Sequence, residues 1–538
     1  MKNKLLLITS VSAALLLETG CTKDFQTINT DPNSVTASVA NYSALFTNAE
    51  ITTSGNSDAN AYEDWRGNLI YASCMIQHLS STAGYWDGDK YTFDAGYLSA
   101  YWDQDFGPQQ NGGNPNTNTN SSPVENMVEV VTHAKTDTAN VNLYNMARIF
   151  KVYLFQRLTD MYGDMPYTQA GQGYISGISA PKYDKQQDIY TDFFNELSDA
   201  ASKLNPSGST PGAADLIYGG DVTKWKKFAY SEMVRCAMRL SKVDPATAQK
   251  WVQAAVAGGV FAGNADNAII IHQDAAPNGA GAQVSNGSGA VLGLIDPNSS
   301  RLSATFVNYL RTTGDPRLPY FGTVCANPLV TTDMGDTTAA HQLGQPNGYD
   351  LSSGATDISK APGYPGSQNS YSVVNRYTYA RTTAPTFFLT YGETELLLAE
   401  AAQNGWITGT SAATYYTNGV TGAMEQLALQ AGAGPGSASI QTYVTANTLT
   451  PGSELQLINT QYWIASFMDE TEAWANWRRS GFPVLTPVVY PGNATNGTIP
   501  RRYTYPTGEA ATNAANYSAA VAGLANGDKM TSHIWWDK

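Results

Sequence analysis

The densest group of residues with binding chemistry lies in segment 84–105, where aromatic rings alternate with Asp, Gly and Lys. Sugars present apolar C–H faces that stack on aromatic rings, and their hydroxyl groups hydrogen-bond to polar side chains. The pattern therefore predicts an oligosaccharide site, unless these rings only pack the segment onto the rest of the fold. We expect Tyr85 and Trp86 to contact the ligand first, because they adjoin a glycine turn. The other candidates in the segment are Tyr91, Tyr97 and Trp102.

A second group of tyrosines follows later in the chain and has the same two interpretations, ligand contact or packing. Its members are Tyr349, Tyr364, Tyr371 and Tyr377.

Glu393 and Glu400 are the carboxyl pair whose spacing could support glycan hydrolysis. Seven residues apart on one predicted helix, they share a face about 10 Å along the axis, and an inverting glycosidase needs two carboxyl groups with a water between them. The alternative is ion pairing with Arg235 or Arg239 on a neighbouring helix. We favour ion pairing, because nothing indicates the converging pair with separated pKa values that the chemistry requires. We therefore predict no catalytic residue and no enzyme activity.

The remaining motifs exclude several function classes. The five histidines are scattered without metal-ligand spacing, and no phosphate loop, dinucleotide fingerprint or nucleophile motif is present. We predict neither a metal site nor a cofactor. The net charge of −14 argues against a nucleic-acid partner, whose phosphates need a basic surface.

The first 20 residues have the features of a secretory signal. Lys2 and Lys4 precede an uncharged apolar run, and Gly20 precedes Cys21. We expect a lipoprotein signal, after whose cleavage Cys21 carries the lipid, because its thiol is nucleophilic enough to take a diacylglyceryl group. The alternative is ordinary secretion with Cys21 free or in a disulfide. Residues 21–40 would then be an extended tether.

Seven stretches carry the periodicity of helices with an apolar face, and most follow one another in pairs. Such pairs must stack on neighbours to bury that face, as in tetratricopeptide-like arrays. We predict a mainly α fold, with few short strands, forming one domain over residues 41–538. Helix pairs would occupy about 142–257 and 389–477, and binding loops about 80–123 and 263–388. The predicted helices are 142–162, 186–204, 224–242, 246–257, 389–403, 412–429 and 458–477.

The order of short motifs along nearly the whole chain resembles SusD/RagB-type outer-membrane lipoproteins. The motifs are Cys21, Asn29-Thr30-Asp31-Pro32-Asn33, Tyr162-Gly163-Asp164-Met165-Pro166-Tyr167, Asp315-Pro316-Arg317-Leu318, Leu398-Ala399-Glu400-Ala401, Glu472-Ala473-Trp474, Arg478-Arg479-Ser480-Gly481-Phe482-Pro483 and Trp535-Trp536-Asp537-Lys538.

The resemblance implies a non-enzymatic protein, lipid-anchored in the outer membrane and facing the exterior, on a tetratricopeptide-like scaffold. It implies a SusC-like TonB-dependent β-barrel transporter as partner, to which a captured glycan or peptide is delivered. We favour glycan over peptide. The competing functions are an extracellular glycan hydrolase using Glu393 and Glu400, and a surface scaffold without a small ligand.

Overall fold

The computed structural model describes residues 41–57, 61–107 and 122–538. The predicted signal peptide, Cys21 and the tether lie outside the described residues. The chain from Ser43 to Lys538 forms one compact unit. In the residues described, no helix combines the length and apolar character needed to cross a bilayer.

Long helices supply most of the regular structure. In chain order they are α1 (Tyr42–Thr53), α2 (Asp64–Ser73, a π-helix), α3 (Pro123–Ala134), α4 (Val141–Tyr162), α5 (Gln186–Lys203), α6 (Val222–Arg239), α7 (Pro245–Gly258), α8 (Ala304–Thr312), α9 (Tyr391–Gln403), α10 (Ala412–Glu425), α11 (Ser437–Ala446), α12 (Glu454–Ala465), α13 (Glu470–Ser480) and α14 (Ala514–Ala522). Shorter helical segments are Ala95–Leu98, Ala100–Phe106, Gly173–Ser176, Gly287–Ala290, Val291–Ile295, Leu318–Phe321, Leu427–Ala431 and Glu509–Thr512.

The strands are short and pair antiparallel, two by two. They are β1 (Leu79–Ser81), β2 (Met165–Pro166), β3 (Tyr183–Asp184), β4 (Ala268–Ile270), β5 (Ser300–Leu302), β6 (Gly322–Thr323), β7 (Val373–Val374) and β8 (Thr386–Leu389). In the part of the chain that the structure describes, β1 pairs with β5, β2 with β3, β4 with β8 and β6 with β7. The β1–β5 pair sets Leu79 opposite Leu302, which brings the segment after β1 beside the turn before β5.

The predicted mainly α, helix-pair fold is confirmed. Helix α4 packs on α5, α6 on α7, and α9 on α10. The buried α4 is apolar over much of its circumference and ends at Gly163, whose φ of 85° suits a residue without Cβ. The start of α6 is fixed by Asp221, whose carboxylate accepts hydrogen bonds from the backbone N–H groups of Thr223 and Lys224.

The predicted single helix over 458–477 is wrong. The chain forms α12 and α13 instead, separated by a turn in which Met468 has φ of 80°. A positive φ at Met is costly and is held by the surrounding packing. The local sequence therefore does not indicate that the helix ends here. Trp474 of α13 lies in the core, where its buried ring stacks on Tyr503 with ring centres 4.9 Å apart.

Candidate functional site

A half-exposed group of aromatic and basic side chains stands at the start of α2. The helix buries Leu69, Ile70 and Tyr71 in the core. That orientation leaves Trp65 and Arg66 half-buried. The wide backbone of a π-helix is costly and recurs at functional sites, so its position here points to this surface.

Three aromatic rings hold the guanidinium of Arg66. Its central carbon lies 4.0 Å from the centre of the Tyr62 ring, 5.4 Å from that of Trp65 and 5.5 Å from that of Tyr97. The Tyr62 hydroxyl donates to the carbonyl of Gly96 at 3.2 Å, which ties this end of α2 to segment 84–105. Burial lowers the pKa of Arg66, and the neighbouring Tyr62 partly offsets that effect. Cation–π contacts with these rings thus fix the position of the Arg66 guanidinium, in place of an ion pair with a carboxylate.

Tyr85 extends this surface toward the turn before β5. Tyr85 is 42% exposed, and its hydroxyl donates to Asp296 at 2.5 Å and contacts the Ser299 hydroxyl at 2.9 Å. Burial and then the Asp296 hydrogen bond raise the pKa of Tyr85, so the hydroxyl stays protonated. Tyr97 belongs to the same segment 84–105 and is half-buried.

We call this surface the aromatic platform. Its members are Tyr62, Trp65, Arg66, Tyr85 and Tyr97. It combines flat rings with a guanidinium and, at its edge, a carboxylate, which is the chemistry needed to stack sugar rings and bond their hydroxyl groups.

Three of the five predicted ligand contacts lie in the interior. Trp86 is fully buried and its indole N–H donates to Asp296 at 3.0 Å. Tyr91 is also fully buried, and its hydroxyl accepts from the Val488 backbone N–H at 3.2 Å. Trp102 packs its ring against other aromatic rings and is 6% exposed. These three rings anchor the segment to the helices in this conformation, so a ligand on the surface would meet Tyr85 and Tyr97.

In the second group of tyrosines, Tyr349, Tyr364 and Tyr371 pack in one hydrophobic cluster. Tyr371 is buried with Ile358 and Ala361, and the half-buried Tyr364 packs its ring against it at 6.4 Å. Tyr377 is 51% exposed.

The carboxyl groups of Glu393 and Glu400 are engaged in separate buried ion pairs. Glu393 contacts Arg235 at 3.4 Å, which confirms one predicted pairing. Glu400 instead accepts two hydrogen bonds from Arg479 on α13, at 2.5 and 2.8 Å. Burial alone would raise the pKa of Glu400, but the Arg479 guanidinium outweighs it and lowers that pKa. The two carboxyl groups are thus held by different arginines, and this is not the converging pair that glycan hydrolysis requires.

Sequence reasoning missed Tyr62, Trp65, Arg66 and Asp296. The run of aromatic, acidic and basic residues at 61–66 was a local signal, but it lies about 20 residues before segment 84–105. Only the β1–β5 pairing and the packing of α2 bring these residues to one face. In the described part of the chain, no three His, Cys, Asp or Glu residues converge as metal ligands.

The helix-pair scaffold and the half-exposed rings of the platform define an α-helical protein with a surface suited to ligand binding. Residues 32–506 match the SusD-like family described as "Starch-binding associating with outer membrane". The chain therefore belongs to the SusD-like family of glycan-binding, outer-membrane-associated proteins. No curated protein matches the chain.

Solved structures agree with this assignment. A structure described as a chitin-binding protein is 34% identical, with a TM-score of 0.77, and the match covers 92% of this chain and 100% of that one. A SusD-like protein from Bacteroidetes is 27% identical, with a TM-score of 0.77 and coverage of 93% and 100%. A chitin-binding SusD homologue from Flavobacterium johnsoniae shares the fold, at 22% identity, a TM-score of 0.73 and coverage of 92% and 98%.

Proposed function

We propose that this protein binds an oligosaccharide on the aromatic platform at the cell surface and delivers it to a SusC-like TonB-dependent β-barrel transporter. The observation that carries the proposal is the arrangement of Tyr62, Trp65 and Tyr97 around Arg66, a ring-lined, half-exposed surface held rigid by cation–π contacts. A preordered site of this kind loses little conformational entropy when a ligand stacks on it.

The favoured ligand is a chitin-derived oligosaccharide. The solved structure at 34% identity carries a chitin-binding description. The acetamido sugar of such a ligand offers an apolar face for Trp65 or Tyr97 and a carbonyl oxygen that the Arg66 guanidinium can bond. A peptide ligand is the alternative class, since aromatic surfaces also bind peptide side chains.

Calorimetric titration with chitin oligosaccharides, starch oligosaccharides and short peptides tests the ligand. We expect heat with the chitin oligosaccharides, and binding weakened about tenfold or more, ~1.4 kcal/mol, by Trp65→Ala. Tyr174→Ala is the matched control, because that tyrosine is 92% exposed and is not part of the platform. Equal affinity in wild type and Trp65→Ala would remove the platform from the binding site. A surface scaffold without a ligand would give no heat in any titration.

The anchor and the partner are tested in cells. Cys21→Ser abolishes detergent-phase partitioning if Cys21 carries the lipid, and partitioning like that of wild type contradicts the anchor. Isolation of the membrane protein in mild detergent brings down a large β-barrel protein if the transporter is its partner. Repeated absence of that barrel argues against delivery.

A further inference from the structure

Glu50 of α1 is a buried carboxyl group that the proposed glycan site does not use. The residue is 0% exposed, and its Oε2 accepts a hydrogen bond from the backbone N–H of Leu216 at 2.8 Å. Its Oε1 is also buried, and no N–H or O–H group donates to it. Because buried polar atoms in proteins are nearly always hydrogen-bonded, an ionised Glu50 would be poorly satisfied here.

The carboxyl group of Asp215 lies within hydrogen-bonding distance of the Glu50 carboxyl group. Asp215 is 2% exposed. Four N–H groups donate to its two oxygens: the backbone groups of Ile217, Tyr218 and Gly220, at 3.0, 3.0 and 2.7 Å, and the indole of Trp225, at 2.6 Å. Two ionised carboxylates cannot hydrogen-bond each other, since neither has a proton to donate, and their like charges repel.

The number of donors decides which of the two carboxyl groups is protonated. Four donated hydrogen bonds stabilise the ionised form of Asp215. Glu50 receives one, and its protonation supplies the O–H that the Asp215 carboxylate can accept. Burial, followed by the charge of Asp215, raises the pKa of Glu50 well above its ordinary value of 4.5, which agrees with this assignment.

Charged residues on the elements around α1 are engaged with other groups. The rings of Phe46 and Trp225 pack α1 against α6, and those of Phe46 and Phe150 pack it against α4. The charged residues are Arg148 of α4, which pairs with Glu196, Arg157 of α4, which donates to the Thr53 carbonyl, Lys224 of α6, which lies over the Tyr218 ring, Lys227 of α6, which pairs with Asp266, Asp221, which caps α6, and Glu125 of α3, which adjoins Glu129. Within the described residues, Asp215 is the charged group that acts on the pKa of Glu50.

The Glu50–Asp215 pair joins α1 to the segment that precedes α6. Three residues before Glu50, the Thr47 hydroxyl donates to the Ala214 carbonyl at 2.5 Å. The indole that donates to Asp215 belongs to Trp225, whose ring lies 5.8 Å from the Phe46 ring of α1. The pair is therefore part of the contact that holds α1, the first helix of the described chain, on the body of the fold.

We propose that Glu50 carries a proton in the folded protein and donates it in a hydrogen bond to the Asp215 carboxylate, so that the pair is a pH-sensitive latch on α1. When the proton leaves to solvent at alkaline pH, two negative charges lie side by side in the interior and repel. The contact between α1 and segment 212–221 then opens, and reprotonation closes it again. The latch does not depend on the proposed glycan function.

Hydrogen exchange on the wild-type protein, followed by mass spectrometry, tests the latch. The folded form holds the proton more tightly than the unfolded form, so stability is lost as pH rises through the folded pKa, by up to about tenfold in the opening equilibrium per pH unit. Between pH 6 and 9, after correction for intrinsic exchange, we expect the protection of α1 to fall about tenfold or more relative to that of α11. Equal changes in α1 and α11 would overturn the proposal.

Two matched variants test which carboxyl group holds the proton. Glu50→Gln keeps a donor for Asp215 and cannot ionise, so we expect wild-type protection of α1 at pH 6 and about tenfold more than wild type at pH 9. Asp215→Asn places an amide where four N–H groups donate, so its α1 should lose protection already at pH 6.

Two results would contradict the assignment. If the protection of α1 in Glu50→Gln falls with pH as in wild type, Glu50 is not the group that titrates. If Asp215→Asn keeps its α1 protected at pH 6 and Glu50→Gln does not, the proton belongs to Asp215. The wild-type series needs no substitution, so a variant that fails to fold does not affect it.

Discussion

The guanidinium of Arg66 on the aromatic platform and that of Arg479 in the helical scaffold are held in place by different kinds of contact. Arg479 is buried and donates to both carboxylate oxygens of Glu400, and also to Asn459 at 2.9 Å and Asn476 at 2.7 Å. Arg66 is half-buried and is held by rings, with one long contact of 3.5 Å to the Tyr62 carbonyl.

The contrast separates charges that stabilise the fold from charges that can bind a ligand. A buried guanidinium that lost its partners would cost several kcal/mol, and the donors of Arg479 are accordingly bonded within the protein. Cation–π contacts fix the position of Arg66 without using up its N–H donors. The same sequence therefore contains arginines of two kinds, which differ in their partners rather than in their local motifs.

The largest effect is expected from breaking the scaffold pair. Glu400→Ala leaves Arg479 buried without its carboxylate, so the free energy of unfolding should fall by about 3–5 kcal/mol. Urea denaturation followed by circular dichroism measures it. Glu425→Ala, at an exposed position, is the control and should change stability by less than about 0.5 kcal/mol. A neutral Glu400→Ala would mean that the pair adds nothing to the fold.

The carboxyl groups of Asp469 and Glu400 should also change the stability of the fold in opposite directions as the pH rises. The pKa of Asp469 rises from 3.8 to about 7 on folding, so its folded form binds the proton more tightly and stability is lost as pH rises from about 4 to 7. The lowered pKa of Glu400 acts the other way, so its contribution is lost as pH falls below its ordinary pKa of 4.5.

Thermal unfolding between pH 5 and 8 tests the Asp469 contribution. Asp469→Asn should flatten the loss of stability with rising pH, by no more than about 1.4 kcal/mol per pH unit for one proton. It should be more stable than wild type at pH 8. Parallel curves for wild type and Asp469→Asn would show that Asp469 titrates normally in the folded protein.

Much of the scaffold was predictable because helix periodicity and capping act locally. The bounds of α4 and α5 differ from the predicted helices by one residue at most. The division between α12 and α13 was not predictable, because Met468 adopts a positive φ and no glycine marks the turn. The apolar faces of the helices predicted which helices pair. The partner of Glu400 is Arg479 and not the predicted Arg239, because the unpredicted turn positions α13.

The site was harder to predict than the fold. Aromatic content located segment 84–105 but could not separate the inward Trp86 from the outward Tyr85, because neighbouring residues of a loop lack a fixed period. Trp65 and Arg66 join the surface only through a long-range strand pair and the packing of α2. Composition therefore predicted the chemistry of the surface, and tertiary packing decided which rings supply it.

A smaller effect is expected from removing the platform charge. Arg66→Met keeps the apolar stem against the rings and deletes the guanidinium, so glycan affinity should fall about fivefold, ~1 kcal/mol, with stability nearly unchanged. Calorimetry and thermal unfolding of the same sample separate the two quantities. If Arg66→Met instead unfolds as Glu400→Ala does, the platform arginine belongs to the scaffold and the contrast between the two regions fails.

The smallest effect is expected at Tyr377, which tests where the binding surface ends. Tyr377 is 51% exposed, yet it comes from the segment between β7 and β8 rather than from the segments that supply the platform. Tyr377→Ala should change stability by less than about 0.5 kcal/mol and glycan affinity by less than about twofold, ~0.4 kcal/mol. A loss of affinity as large as that of Trp65→Ala would extend the ligand to this second exposed ring. The site would then be a groove for a long chain, since a ligand reaching both positions must cross the surface between them.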